Sequence, residues 1–315
     1  MRRMIAISLS CILALVAVSF VLLYRYREKA DRLLMMTEEL TTSQQTIHET
    51  ESPEGMTKPG KRPVAESEPD SESESQAPQT EDPALHAEDG IYTFLQGPVA
   101  WESKAPWSGI WCESELDGGL FSVFGCGLCD LAGVYSSLTP YECSPLDMYA
   151  LARKVSDYAP GDGAGAIDWP YMVETLERTG IFATLKNKDR SYKAFQKAIA
   201  DCPGAIVLIS SEDDDTYWQD TPGHYVNIWH YHPETDQVFL GDSGNPKHNR
   251  QWIPLRYIYD ALAADSAWQY LLIHSYEEEK NTWKYSGIHE KWTRPAYYRA
   301  KPESRSLLMP VPETE

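Results

Sequence analysis

The chain places its helices first and its sheet afterwards, an order that predicts an α+β fold with a cysteine-headed helix packed on an antiparallel sheet. Three observations carry that prediction. Leu128, Leu131, Ala132, Tyr135 and Leu138 recur at i, i+3, i+4, i+7 and i+10, one face of a helix, directly after Phe124-Gly125-Cys126-Gly127. Ala205-Ile206-Val207-Leu208-Ile209 follows Pro203-Gly204 and is short and β-branched enough for a buried strand. The apolar runs 225–230 and 237–240 flank His232-Pro233-Glu234-Thr235-Asp236, which reads as a hairpin.

At the N-terminus, residues 1–36 are expected to form a membrane anchor. Met4 to Tyr24 is apolar except for Ser8, Ser10 and Ser19, long enough to span a bilayer as a helix. It runs straight into Tyr24-Arg25-Tyr26-Arg27 with no small-residue cleavage site, so an uncleaved signal-anchor is expected. Cys11 sits within this segment without the small residues a lipoprotein site needs before its cysteine. Basic residues flank both ends (Arg2 and Arg3; Arg25, Arg27, Lys29 and Arg32), so charge alone does not orient the segment.

Residues 37–90 contain no Phe, Trp or Tyr and carry fourteen Asp or Glu against three Lys or Arg. Such a stretch cannot bury a core, and its Ser/Glu/Pro content predicts a self-repelling disordered linker. It supplies −11 of the chain's net charge of −19, so the acidity says little about the folded part. That acidity does not point to nucleic acid, whose binding needs a basic surface.

Residues 91–276 amount to one domain, rich in Trp and Tyr. Ser144-Pro145-Leu146-Asp147 combines an N-cap, a first-turn proline and an acidic N3 residue, predicting a helix to about Ser156. The glycine-rich loop Gly161-Asp162-Gly163-Ala164-Gly165 precedes Asp168 and a helix from Trp169 to Arg178, with Gly180 as its cap. That loop lacks the Gly-Lys-Ser/Thr ending of a phosphate cradle. A helix from Ser191 to Ala200 leads into the buried strand, and Trp268 to Ile273 is predicted as the last one.

Cys126 is the candidate nucleophile. A helix N-terminus offers unpaired N–H groups and a positive dipole end that favour a thiolate, and flanking glycines leave room for a substrate backbone. At about 100° per residue Cys126 lies away from the apolar stripe, accessible, while Cys129 lies at its edge, structural. His224 opens the first hairpin strand and Asp242 follows the second, so both sit at one end of the hairpin as base and orienter. His230 and His232 are rival bases, placed along the strand and in the turn.

In order, Gln96, Trp101, the Gly-Cys126-Gly helix start, Ser144-Pro145, Trp169, the Gly-His224 strand and Asp242 resemble the papain-like cysteine peptidases of the bacteriocin double-glycine-leader type, in particular their stand-alone bacterial branch. The likeness spans residues 93–273. It implies a papain-like fold, peptide-bond hydrolysis by Cys126, His224 and Asp242, and Gln96 as oxyanion-hole donor. No cofactor is implied, and the partners would be a peptide or protein substrate and the membrane. Leu128-Cys129 stands where the family has Pro and Thr, and Ser243 where it has Pro. An inactive peptide-binding relative, or another Cys-His hydrolase such as a cell-wall amidase, uses the same residue types.

Cys112, Cys129, Cys143 and Cys202 allow three disulfide pairings in an oxidising compartment. Zinc is a weaker reading, because Cys126-x-x-Cys129 has no second pair at ligand spacing. Residues 277–315 form a C-terminal extension in which Lys280 to Arg305 holds seven Lys or Arg against two Glu among several aromatics. It is expected to pack on the domain, with contact to anionic envelope polymers as the alternative.

Overall fold

The computed structural model describes residues 87–160 and 165–301. The expected membrane helix, most of the acidic linker, loop residues 161–164 and the tail from 302 lie outside the described residues. The chain divides into units 1–77 and 78–315, and every described residue belongs to the second. Among the described residues no helix is long and apolar enough to cross a membrane.

The second unit is α+β. A two-stranded ribbon, β1 (Glu115–Leu116) and β2 (Gly119–Leu120), turns through Asp117 and Gly118, both at positive φ (50° and 83°). The main sheet comprises β3 (Thr179–Lys186), β4 (Gly204–Ile209), β5 (His224–His232), β6 (Gln237–Gly241), β7 (Gln251–Pro254) and β8 (Tyr270–Asn281). Its six strands run antiparallel in the order β3-β8-β4-β5-β6-β7. After two short helical turns at Pro98–Glu102 and Phe121–Phe124, the longer helices are α1 (Cys126–Leu138), α2 (Pro145–Val155), α3 (Trp169–Arg178) and α4 (Tyr192–Ala200), followed by the short α5 (Leu255–Asp260).

Alternation along the strands divides the interior into two cores. Ile206, Tyr225, Trp229, Leu271 and Ile273 face α1, α2 and α3. Ala205, Val207, Val226, Ile228, Tyr270 and Leu272 face α4 and α5. With helices on both faces, β4 has no solvent side, which is why its sequence is a continuous apolar run instead of an alternating one.

The start of α2 follows its sequence signature. Ser144 Oγ accepts from the Asp147 N–H at 3.1 Å, and Asp147 Oδ2 accepts from the Ser144 N–H at 2.9 Å, a reciprocal capping box. Ser144→Ala is expected to cost about 1 kcal/mol, lowering the thermal midpoint by roughly 2–4 °C for a domain of this size. A thermal melt of the purified variant checks this.

Sequence reading did not anticipate β3, β7 or α5, and it made β8 too short. The run Glu277-Glu278-Glu279 suggested the end of the domain, yet β8 continues through it to Asn281, which pairs with Thr179. Lys280 and Lys284 neutralise the run by ion pairs to Glu277 (2.9 Å) and Glu278 (2.6 Å). Beyond the strand, Trp283, Tyr285 and Trp292 are buried in the α1 core. Lys301 Nζ then donates to the carbonyls of Thr139 (2.7 Å), Tyr141 (3.2 Å) and Ser136, placing a cation at the C-terminal end of α1.

Candidate active site

The site is built where the N-terminus of α1 meets the start of β5. Helix α1 is buried from Cys126 through Ser136, so it is enclosed on all sides and not along a single stripe. Cys126 is only 6 % exposed, against the expectation of an accessible thiol. The helical wheel assumed solvent opposite the stripe, but that side is covered: Gly127 lies against Met172, Ile167 and Tyr225, Gly133 against Tyr92 and Asn227, and Asp130 against Asn227. The flanking glycines also differ in role from the expectation. A Cβ at Gly125 would stand 2.4 Å from the Phe121 ring, and one at Gly127 would stand 2.5 Å from Met172 and 2.7 Å from Ile167. They make room for the protein's own packing.

Burial alone would raise the Cys126 pKa. It is lowered instead, because the thiol is hydrogen-bonded to His224, feels its charge, and receives the backbone N–H groups of Tyr225 and Gly127. The Gly127 N–H belongs to the first turn of α1, which has no side-chain cap, so the helix end serves the sulfur.

The His224 ring spends Nε2 on Asp242 Oδ1 at 2.9 Å, which leaves Nδ1 for the sulfur. Burial works against the imidazolium, but hydrogen bonds to Asp242 and Cys126 outweigh it and hold the His224 pKa well above the ordinary histidine value. Asp242, 2 % exposed, is held below the usual carboxylate range despite its burial. His224 and then His248 provide for that, with the N–H groups of Gly244 (2.9 Å) and Asn245 (3.1 Å) donating to the same Oδ1. His248 Nδ1 stands 3.5 Å from Asp242 Oδ2 and its ring stacks on Tyr217.

Gln96 is tied to the same turn. Its N–H donates to the Ser243 carbonyl at 2.8 Å, and the Ser243 hydroxyl donates to Gln96 Oε1 at 2.9 Å. Gln96 Nε2 donates one hydrogen to the Ser122 carbonyl at 2.9 Å, leaving a second N–H on that amide. The structure therefore hydrogen-bonds His224 to Asp242, sets its ring close enough to Cys126 to lower the thiol pKa, and joins Gln96 to the residue after Asp242.

Sequence reading missed Ser243, Gly244, His248 and Asn249. Asn249 Oδ1 accepts from the Asp242 N–H (3.2 Å) while its Nδ2 donates to the Thr93 carbonyl (3.0 Å). A Cβ at Gly244 would lie 3.0 Å from His224 Nε2, so any larger residue there would press on the ring. The visible signal was Asp-Ser-Gly-Asn, which reads as a turn and does not reveal what the turn holds.

The rival histidines lie elsewhere. His230 has φ 50° at a bulge where β5 slips register against β6, so counting faces from His224 fails there. His232 is exposed, with its ring edge-on to Trp252. His230→Ala is expected to leave peptide turnover within about twofold of wild type, since nothing joins it to Cys126; steady-state kinetics on one peptide checks this.

Cys112, Cys129, Cys143 and Cys202 are free thiols, so none of the three possible pairings is formed. Burial pushes the Cys112 and Cys202 thiols up to about 11. Among the described residues no His/Cys/Asp/Glu group is arranged to hold a metal ion. No family model and no curated protein matches the chain.

Proposed function

We propose that the chain is a papain-like cysteine peptidase. The observation that carries this is the buried line Cys126–His224–Asp242, in which the thiol is shifted down and the imidazole up, as a resting thiolate–imidazolium pair requires. The Cys126 thiolate attacks the peptide carbonyl and forms a C–S bond. The second N–H of Gln96 Nε2 and the backbone at Cys126 stabilise the oxyanion. Protonated His224 gives its proton to the leaving amine as the C–N bond breaks, leaving a thioester. Neutral His224 then takes a proton from water, which attacks the thioester as the C–S bond breaks, releasing the acid and restoring the Cys126 thiolate beside the protonated His224.

Asp242 keeps the ring oriented and stabilises the imidazolium. Asp242→Asn is expected to lower kcat/KM by about 10-fold to 100-fold, less than loss of His224, because asparagine preserves a polar contact but not the charge. Without that charge the His224 pKa falls, so the alkaline limb of the pH profile moves to lower pH. A pH–rate series on the variant measures both effects.

In this reading the Met4–Tyr24 segment anchors the enzyme, and the acidic linker carries the domain on the outer side of the membrane. Ala87–Gly90 fold as a helical turn held to the domain by Arg250 and Trp252, so the spacer ends before the expected boundary; as a flexible coil, residues 37–86 would have a root-mean-square span on the order of 40 Å, extended further by their like charges. Protease added to cell-wall-free protoplasts tests the topology: protection of the domain from Ile91 onward until lysis places it in the cytoplasm. Hydrolysis of defined peptides, with a muropeptide panel run in parallel, tests the chemistry. Turnover of the muropeptides alone would replace peptidase with cell-wall amidase.

A further inference from the structure

One turn below the nucleophile, Asp130 is 2 % exposed and its Oδ2 has no hydrogen-bond partner. On β5, three residues after His224, Asn227 is equally buried, and its Oδ1 also lacks a partner. The two residues touch: Asn227 Nδ2 donates to the Asp130 carbonyl at 3.1 Å. Helix and strand come this close because Gly133 and Gly241 carry no side chain: a Cβ at Gly133 would lie 3.1 Å from Asn227 Nδ2, and one at Gly241 would lie 3.3 Å from Asn227 Cβ. Two buried acceptors on contacting residues, each without a donor, would cost free energy if both remained bare.

A single proton shared between the two side chains would satisfy both. We propose that Asp130 is kept as a neutral carboxylic acid whose O–H is given to Asn227 Oδ1, a positioning pair that locks the helix carrying the nucleophile to the strand carrying the base. The groups facing Asp130 argue against its ionised form. Cys126, Cys129 and Tyr225 belong to its electrostatic surroundings, with His224 and Asp242. An ionised Asp130 would add a third anion, beside the Cys126 thiolate and Asp242, to a dry site holding one imidazolium, and it would oppose thiolate formation. Burial and the Cys126 charge both push its proton affinity up, with His224 the opposing influence. The functional part of this inference rests on the peptidase reading; the protonation state does not.

The test uses the full chain labelled with ¹³C-carboxyl aspartate. Infrared difference spectra at neutral pH, wild type minus Asp130→Asn, should contain the C=O stretch of a protonated acid. A carboxylate band assigned to Asp130 overturns the proposal. In parallel, Asp130→Leu should slow thiol labelling at Cys126 about tenfold, and Asp130→Asn, which retains a donor for Asn227, should restore it with the acid limb of the pH–rate profile unmoved. An acid limb that moves to lower pH in Asp130→Asn would mean that wild-type Asp130 is charged, and would also overturn it. If Asp130→Leu does not fold, the asparagine variant and the infrared arm still decide. Wild-type protein that neither cleaves peptides nor labels at Cys126 counts against the peptidase reading and leaves the infrared result standing.

Discussion

Cys126→Ala is expected to abolish peptide hydrolysis, by on the order of 10⁴-fold or more, together with all covalent labelling by a thiol-directed peptide probe. Cys129→Ala should keep both. The contrast is sharp because the two thiols lie one turn apart in the same helix with opposite surroundings. Cys126 receives the His224 hydrogen bond and two backbone N–H groups, and its pKa is lowered. Cys129 is dominated by burial, which pushes its pKa well above the ordinary thiol value. Intact-mass measurement after labelling, followed by peptide mapping, reads the result directly; label retained in Cys126→Ala would remove Cys126 from the mechanism.

His224→Ala is expected to lower the labelling rate at neutral pH by about 10³-fold or more, and hydrolysis at least as far. The sign of the pH effect follows from the two shifts. In wild type, reactivity rises with pH as the thiolate forms, below the ordinary thiol value, and falls only when His224 loses its proton, well above the ordinary histidine value. With His224 removed, burial is left as the largest influence on Cys126 and raises its pKa. The rising limb therefore moves to higher pH and the alkaline limb disappears. Labelling rates across the pH range measure both movements, and a rising limb that stays in place would show that the backbone N–H groups alone hold the thiolate.

Much of this site could be read before any coordinates. Local chemistry determined the α1 start at Cys126, the capping box at Ser144, the α3 and α4 helices, the β5–β6 hairpin and the placement of Asp242 just beyond β6. Each depends on residues close together in sequence, where spacing, capping and turn chemistry act directly. The β3 strand escaped because Thr179–Lys186 follows α3 with no intervening loop, and β7 because four residues leave too short a pattern to see.

What only the tertiary structure decided depends on contacts across long stretches of chain. The burial of α1 from Cys126 to Ser136 is completed by Tyr92, Trp283 and Tyr285, which arrive from both ends of the domain. The Gln96 amide takes its orientation from Ser243, 147 residues away, and the Asp242 turn is held by Asn249, which also ties it to Thr93. Residue types and periods determined by themselves that there would be a cysteine helix, a histidine strand and an acid at the strand end. Whether those three face one another is decided by how the sheet orders its strands and what covers its faces, because hydrogen bonds and desolvation act over a few ångströms of space however far apart the residues lie along the chain.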